Sequence, residues 1–390
     1  VPLLLGYFGK AEYGIISIAT SWNAYMHLLD LGMNTGAVKF FSQWAAKGDR
    51  AKINRVARTN ITFYMFVALV NSVLLLALAI WGEFLFSVSH EEFLRLRICF
   101  FILALFTIIS WGATSFNQLL IADKQLDFTM KVQILQTVLK IILIFITIKG
   151  GMMLIQYFFW LTLIIALAIV PYAWKCRRDK LIDSIKPATY WSEFKTVLVF
   201  SLSLFALSLF QVTASQSRPI LLSIFSDNGA DTVADFKVVE VIPAFIITLC
   251  GSFTSIFLPK TSEMIIKNDH EEIMAFLEKW TLITTIIVCV LCFPFILSHS
   301  TIITAYVGEP LSHLGKWMAL WCAFLILQLH STPAFSLIVA NGKTNAIVCA
   351  TGIACLISMI INAVLCKIVP VGSAVIGYCV YMTILVLFYY

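Results

Sequence analysis

The chain has 390 residues, 60% of them hydrophobic and 12% charged, with a formal net charge of +6. Soluble domains carry roughly 25% charged residues, so a water-soluble domain is excluded: too little polar surface exists to coat this chain. The apolar residues come in blocks, Ile61–Trp81 and Ile98–Ala122 among them.

A span needs about 20 predominantly apolar residues to cross roughly 30 Å of hydrocarbon, and its backbone must bond internally. Barrel strands alternate apolar and polar residues; these blocks do not. In chain order the sequence predicts spans at 1–9 (incomplete), 13–41, 59–81, 98–122, 132–149, 152–174, 196–225, 235–258, 280–303, 317–340, 346–366 and 374–390. The expectation is an all-α polytopic membrane protein of about 12 transmembrane helices. Both ends lie inside apolar stretches, so truncation at each is expected. No basic run precedes the first segment, as a cleavable signal would require. Most of the ten cysteines fall within spans. Cys289 and Cys292 have metal or redox spacing but no second ligand pair, so they read as packing groups.

Numbering loops from the first, even loops hold 17 of the 27 Lys and Arg residues, including Lys52, Arg55, Lys175, Arg178 and Lys180, and odd loops hold 6. The positive-inside rule places the even loops in the cytoplasm and the acidic pair Glu91-Glu92 outside. Basic loops without interleaved aromatics do not suggest nucleic-acid binding.

Two echoes point to a duplication. Phe41-Ser42-Gln43 … Gly48-Asp49 … Ile53 recurs 220 positions on as Thr261-Ser262-Glu263 … Asn268-Asp269 … Ile273. Phe116 … Leu120 … Lys124 recurs 219 positions on as Phe335 … Val339 … Lys343. In the first pair, each copy runs from a span into a charged connector expected to form an amphipathic helix. The predicted organisation is two pseudo-symmetric six-helix bundles, 1–195 with a basic cytoplasmic connector and 196–390. Paired halves place a substrate site between repeats.

Four cations remain inside spans: Lys39, Lys140, Arg218 and Lys237. Two acids, Asp30 and Glu240, do so as well. A charge at a helix centre costs roughly 2.5–3.5 kcal/mol on insertion scales, so it faces a cavity or a partner. Lys39 and Lys237 lie near span ends and can snorkel. Lys237 and Glu240 share a helix face and can partly neutralise each other. Asp30 is expected to pair with Lys39 or another cation, or to take up a proton or Na⁺. Arg218 precedes Pro219, which predicts a broken helix carrying a guanidinium suited to phosphate. Arg218 and Lys140 are expected to face one central cavity, with Lys39 at its cytoplasmic mouth. The excess of cations predicts an anionic ligand. Asn23, Asn34, Thr35, Gln136, Gln211 and Gln216 add hydrogen-bonding groups, and Trp22, Tyr25, Trp111 and Trp191 are candidates for stacking on sugar rings. The six His show no metal spacing, and there is no Walker A loop, Gly-rich dinucleotide turn or DxD pair. Neither an enzyme nor a cofactor is expected.

The run Leu3-Leu4-Leu5-Gly6-Tyr7-Phe8-Gly9-Lys10-Ala11-Glu12-Tyr13-Gly14, then Leu29-Asp30-Leu31-Gly32-Met33 and Lys39-Phe40-Phe41-Ser42, resembles the opening of bacterial O-antigen and polysaccharide flippases. These belong to the multidrug/oligosaccharidyl-lipid/polysaccharide (MOP) transporter superfamily. Phe257-Leu258-Pro259-Lys260, Tyr306-Val307-Gly308 and Asn341-Gly342-Lys343 extend the resemblance over nearly the whole chain. It implies two six-span bundles, with two further C-terminal helices missing. It implies carriage of an undecaprenyl-pyrophosphate-linked glycan to the outer leaflet of the inner membrane, for surface polysaccharide and lipopolysaccharide synthesis. Membrane lipids and the polysaccharide polymerase machinery are the implied partners. Cavity cations meeting the pyrophosphate would fall at Arg218, Lys140 and Lys39. Where the family pattern leads one to expect an acid in the seventh span, Gln216 and Arg218 stand. The competing readings are a multidrug exporter of the same superfamily, which needs an acidic cavity; a membrane glycan polymerase or ligase, which needs a larger outer loop than 82–97; and a lipid scramblase or scaffold.

Overall fold

The computed structural model describes residues 2–254, 257, 260, 261, 264, 270–341 and 344–390. Helices α1 (Pro2–Phe8) and α2 (Lys10–Met26) meet at Gly9, whose φ is +85°. A 3-10 turn at His27–Asp30 follows, then Leu31 and Gly32, both left-handed, and then α3 (Met33–Ala46). Successive left-handed residues cannot continue a right-handed helix. The predicted single span 13–41 is therefore two helices with Asp30 at the break. Gly32 is needed there, because a Cβ would lie 2.6 Å from the Ser201 carbonyl oxygen.

Helix α4 (Arg50–Trp81) starts where the Asp49 carboxylate accepts from the Lys52 amide at 3.0 Å. The first charged connector is thus not a separate amphipathic helix: Arg50, Lys52, Arg55 and Arg58 form the opening turns of α4. Its proposed echo at Ser262, Glu263, Asn268 and Asp269 lies outside the described residues, as do Leu258, Pro259, Gly342 and Lys343. Helix α5 (His90–Ala122) opens with a capping box between Ser89 and Glu92. Then come α6 (Leu126–Gly150), α7 (Leu154–Ala166) and α8 (Ile169–Arg178). Beyond a connector run α9 (Trp191–Phe225), α10 (Gly229–Thr254), α11 (His270–Leu297) and α12 (His299–Val307). The chain ends with α13 (Gly315–His330), α14 (Thr332–Ala340), α15 (Thr344–Leu365) and α16 (Pro370–Tyr389).

Among the described residues there is no strand, and eight helical stretches are long and apolar enough to cross a membrane. They coincide with eight predicted spans; the other four fall on α1, on α2 with α3, on α9 and on α10. Phe66, Leu105, Val290 and Ile360 are each more than 60% exposed. In water such surface would drive aggregation; in hydrocarbon it is solvated.

Contacts divide the chain into a first unit, residues 19–209, and a second, residues 1–18 with 210–390. The expected division, between 195 and 196, falls near the start of α9, whereas contacts change partners further on, at Leu209/Phe210. The early turns of α9 belong to the first unit because they press on α3: a Cβ on Gly36 would sit 2.0 Å from Ser201 Oγ. Residues 1–18 belong to the second unit because Gly14 lies flat on α10, where a Cβ would meet the Ala230 carbonyl oxygen at 1.9 Å. Lys10 and Asp235 pair beside this contact at 2.7 Å.

The core of the first unit gathers Met33, Phe41, Tyr64, Trp111, Phe116 and Phe194. Its basic connector is tied to α4. Asn54 Nδ2 donates to Asp183 at 2.6 Å, Arg58 Nε to the Lys186 carbonyl at 2.9 Å, and the Arg55 guanidinium makes two bonds to Glu193, at 2.9 and 2.7 Å. In the second echo, Ala122 ends α5 and Ala340 ends α14.

Candidate functional site: a buried guanidinium in the second unit

Arg218 lies on α9, and its residue exposure is 6%. The helix is not broken at Pro219, as the sequence predicted, but runs on to Phe225. Spanning helices tolerate such a proline when neighbouring groups satisfy the freed carbonyls. The nearby hydroxyls bond other carbonyls than the one at Ser215 that Pro219 frees: Ser215 Oγ donates to Val212 O at 3.0 Å and Ser223 Oγ to Ile220 O at 2.7 Å.

The guanidinium carbon sits 4.9 Å from the Tyr378 ring centroid and 5.4 Å from that of Trp321. The two rings pack on each other at 5.3 Å. Tyr378 is fixed in turn, its hydroxyl donating to Gln328 Oε1 at 2.6 Å. A cation on aromatic faces gains about 0.5–2 kcal/mol per ring, but it keeps its hydrogen-bond donors. Arg218 Nε and Trp321 Nε1 are both buried without a hydrogen-bond partner among the described residues. They border a cavity of about 350 Å³, whose polar lining includes Gln211, Ser215, Gln328, Ser331 and Thr332. No carboxylate lines it among the described residues. The cavity therefore holds one fixed positive charge, unspent donors and neutral hydroxyl and amide groups, a donor set that matches phosphate.

The other sequence-predicted residues are distributed unequally. Lys237 is spent on Glu240, Nζ to carboxylate 2.7 Å, which is the neutralisation the spacing predicted. Lys39 belongs to the first unit, its Nζ 3.6 Å from the Phe200 ring centroid. Lys140, also in the first unit, is half-buried on α6. Its neighbours Val138, Leu139, Ile141 and Ile142 are exposed, so this helix face meets lipid. It does not line the Arg218 cavity. Arg218 and Lys140 thus lie in different units.

Asp30 does not bond Lys39. Tyr64 donates its hydroxyl to Asp30 Oδ1, and the Asn34 amide donates to Oδ2 at 2.9 Å. Gln118 Nε2 donates to the Tyr64 hydroxyl at 2.6 Å, and Asn60 Nδ2 to Gln118 Oε1 at 2.7 Å. The result is a directed chain, Asn60 to Gln118 to Tyr64 to Asp30, that fixes the carboxylate by hydrogen bonds instead of by a cation. Reading the sequence missed Tyr64, Gln118, Trp321 and Tyr378. The one available signal was that each polar or amphipathic side chain interrupts an apolar span.

At the connector, Asp179 is held well below the usual carboxylate range, at about 2. The hydrogen bond from Lys175, at 2.7 Å, is the largest cause, followed by that from Gln125, at 2.9 Å.

No protein-family model matches the sequence, and no curated protein matches it. Solved structures do. A multidrug resistance MATE family transporter of the MOP superfamily, in an inward-facing conformation, aligns over 99% of this chain and 90% of its own, with TM-score 0.86 at 13% identity. The lipid II flippase MurJ, in an inward closed conformation, aligns over 100% of this chain and 82% of its own, with TM-score 0.74 at 15% identity. The Vibrio cholerae MATE transporter VcmN, in a bent form, aligns over 99% and 95%, with TM-score 0.62 at 12% identity. The chain has the MOP-type fold of these multi-pass membrane proteins.

Proposed function

We propose that this chain is a non-enzymatic transporter that moves a lipid-linked oligosaccharide, an undecaprenyl-pyrophosphate glycan, across a bacterial inner membrane by alternating access, for surface polysaccharide synthesis. The observation that carries the reading is Arg218: a buried, hydrogen-bond-poor guanidinium beside a cavity lined by no carboxylate among the described residues. Charges at membrane depth are expensive and persist where they serve transport or binding. A guanidinium in such a place favours a phosphate group over a cation, which argues against the multidrug-exporter reading despite the likeness to multidrug transporters. MurJ, whose fold is similar to the one seen here, is a lipid II flippase, which supports the reading.

The other cations take secondary places in this reading. Lys39 is assigned to guiding the anion, whereas Lys140, outside the Arg218 cavity, is given no part in holding it. Lys237, neutralised by Glu240, holds charge balance more than it holds substrate. Asp30, wired to Tyr64, is the candidate for an ion or proton. Coupling to membrane lipids and to polysaccharide polymerase machinery follows from the same assignment. The test is complementation in a strain lacking the gene. Arg218→Ala is expected to abolish surface glycan at unchanged membrane abundance, and Arg218→Lys to restore part of it, because the charge survives without the bidentate fork. Full surface glycan from Arg218→Ala sinks the cationic mechanism.

A further inference from the structure

A second cavity lies wholly within the first unit and shares no residue with the Arg218 site. It occupies about 250 Å³ between α2, α5, α6, α7 and α8, several times the roughly 30 Å³ that one water takes in the liquid. Its walls combine apolar side chains such as Leu103, Phe158 and Leu161 with uncharged polar ones. Asn23 enters from α2, Ser110, Thr114 and Asn117 from α5, Gln133 and Gln136 from α6, and no Lys, Arg, Asp or Glu lines it among the described residues. His27, at the end of α2, is the one titratable ring with appreciable exposure to it.

The hydrogen-bonding capacity of these walls is only partly used. Ser110 donates to the Phe106 carbonyl at 3.0 Å, which leaves its oxygen able to accept. Gln136 spends its amide nitrogen on the carbonyls of Ile164 and Ile165, at 3.1 and 3.2 Å, which leaves its oxygen for the cavity. Asn117 Oδ1 is buried with no partner among the described residues. An unsatisfied buried acceptor costs about 1–3 kcal/mol, and the acceptor capacity left on Ser110 and Gln136 suits a ligand that brings donors. The aromatic wall is rigid: Trp111 is 4% exposed and held between His27, ring centroids 5.0 Å apart, and Tyr64, at 5.7 Å.

Free acceptors, hydroxyls, carboxamides, an aromatic edge and no fixed charge describe what a neutral polyhydroxylated ring requires. A charged group would lose hydration here with no counter-charge to replace it. We infer that this cavity binds a neutral sugar unit, separately from the phosphate site at Arg218. On the transporter reading, on which this assignment rests, the cavity would select the uncharged part of the glycan.

The test uses the full chain in lipid nanodiscs with two separate probes. One is a neutral disaccharide, diacetylchitobiose, which has no phosphate; the other is geranyl pyrophosphate, which has no sugar. Saturation-transfer NMR and titration calorimetry read binding of each. The disaccharide is expected to bind the wild-type chain, to bind at least tenfold more weakly after Asn117→Leu or the near-isosteric Thr114→Val, and to be indifferent to Arg218→Ala. Thr114→Val guards against a variant that merely misfolds, since retained pyrophosphate binding reports its integrity. Absence of disaccharide binding to wild type, or equal binding to both cavity variants, overturns the sugar site and leaves the phosphate site standing. Pyrophosphate binding that ignores Arg218→Ala overturns the transporter reading instead.

Discussion

Arg218 is stabilised by two aromatic rings and destabilised by the loss of water. Desolvating an ion costs several kcal/mol even after relaxation, whereas the two ring contacts return about 0.5–2 kcal/mol each. The residue therefore costs the fold more than it gives. Arg218→Met, which keeps an unbranched chain without the charge, is expected to abolish transport while leaving the midpoint of thermal unfolding unchanged or raised. A lower midpoint would make Arg218 a structural residue. Tyr64 behaves oppositely, because it joins two buried polar groups. Tyr64→Phe strips a donor from Asp30 and an acceptor from Gln118, and it is expected to destabilise the chain by about 1–3 kcal/mol. Unchanged unfolding would show that the chain of bonds is dispensable. At this scale the sequence exposed the charges and hid their partners. Asp30 and Lys237 both stood out in apolar runs, but only Glu240 lay one helical turn from its cation. Tyr64 and Gln118 reach Asp30 and Asn34 from helices far away in sequence, and no local spacing announces that.

Helices were the legible part, because an apolar run of spanning length has one backbone solution in lipid. Eight of the predicted spans coincide with helical stretches long and apolar enough to cross a membrane. What the runs concealed were their interruptions. Leu31-Gly32 splits an apolar stretch for a reason that lies on another helix, the approach of Ser201 to the Gly32 backbone. Pro219 signalled a break that packing did not use. The same close approaches make the glycines sensitive. Gly36→Val should force α3 away from α9 and lower the folded yield severely, whereas Gly48→Ala, with open space around it, pays only for its positive φ. Comparable yields would refute the tight-contact account.

The connector offers a pH signature at the same scale. Asp179 has a folded value of about 2, depressed by Lys175 and Gln125. Its contribution is complete above the ordinary carboxylate range and is lost as pH falls through 2. A spin label at Ser184 should keep constant mobility from pH 7 to about 4 and loosen between about 4 and 2. Lys175→Met should move that loosening to higher pH. Loosening near pH 6 would contradict the assignment.

For the whole molecule, the charge distribution of the loops sets orientation. Cysteines introduced at Lys52 and Lys180 should resist an impermeant thiol reagent in intact cells, and one at Glu91 should react; labelling at position 180 overturns the topology. The excess of cations was legible once charges were placed in the predicted spans, and it favoured an anionic ligand. That Arg218 borders a cavity with no carboxylate among the described residues required the fold. The measurement closest to the central claim is flux in proteoliposomes containing the purified chain and a fluorescent polyprenyl-pyrophosphate disaccharide, read by accessibility of the headgroup to an external quencher. The account predicts exchange between leaflets with wild-type protein, none above empty liposomes with Arg218→Ala, and partial exchange with Arg218→Lys; equal exchange by wild type and Arg218→Ala would contradict it.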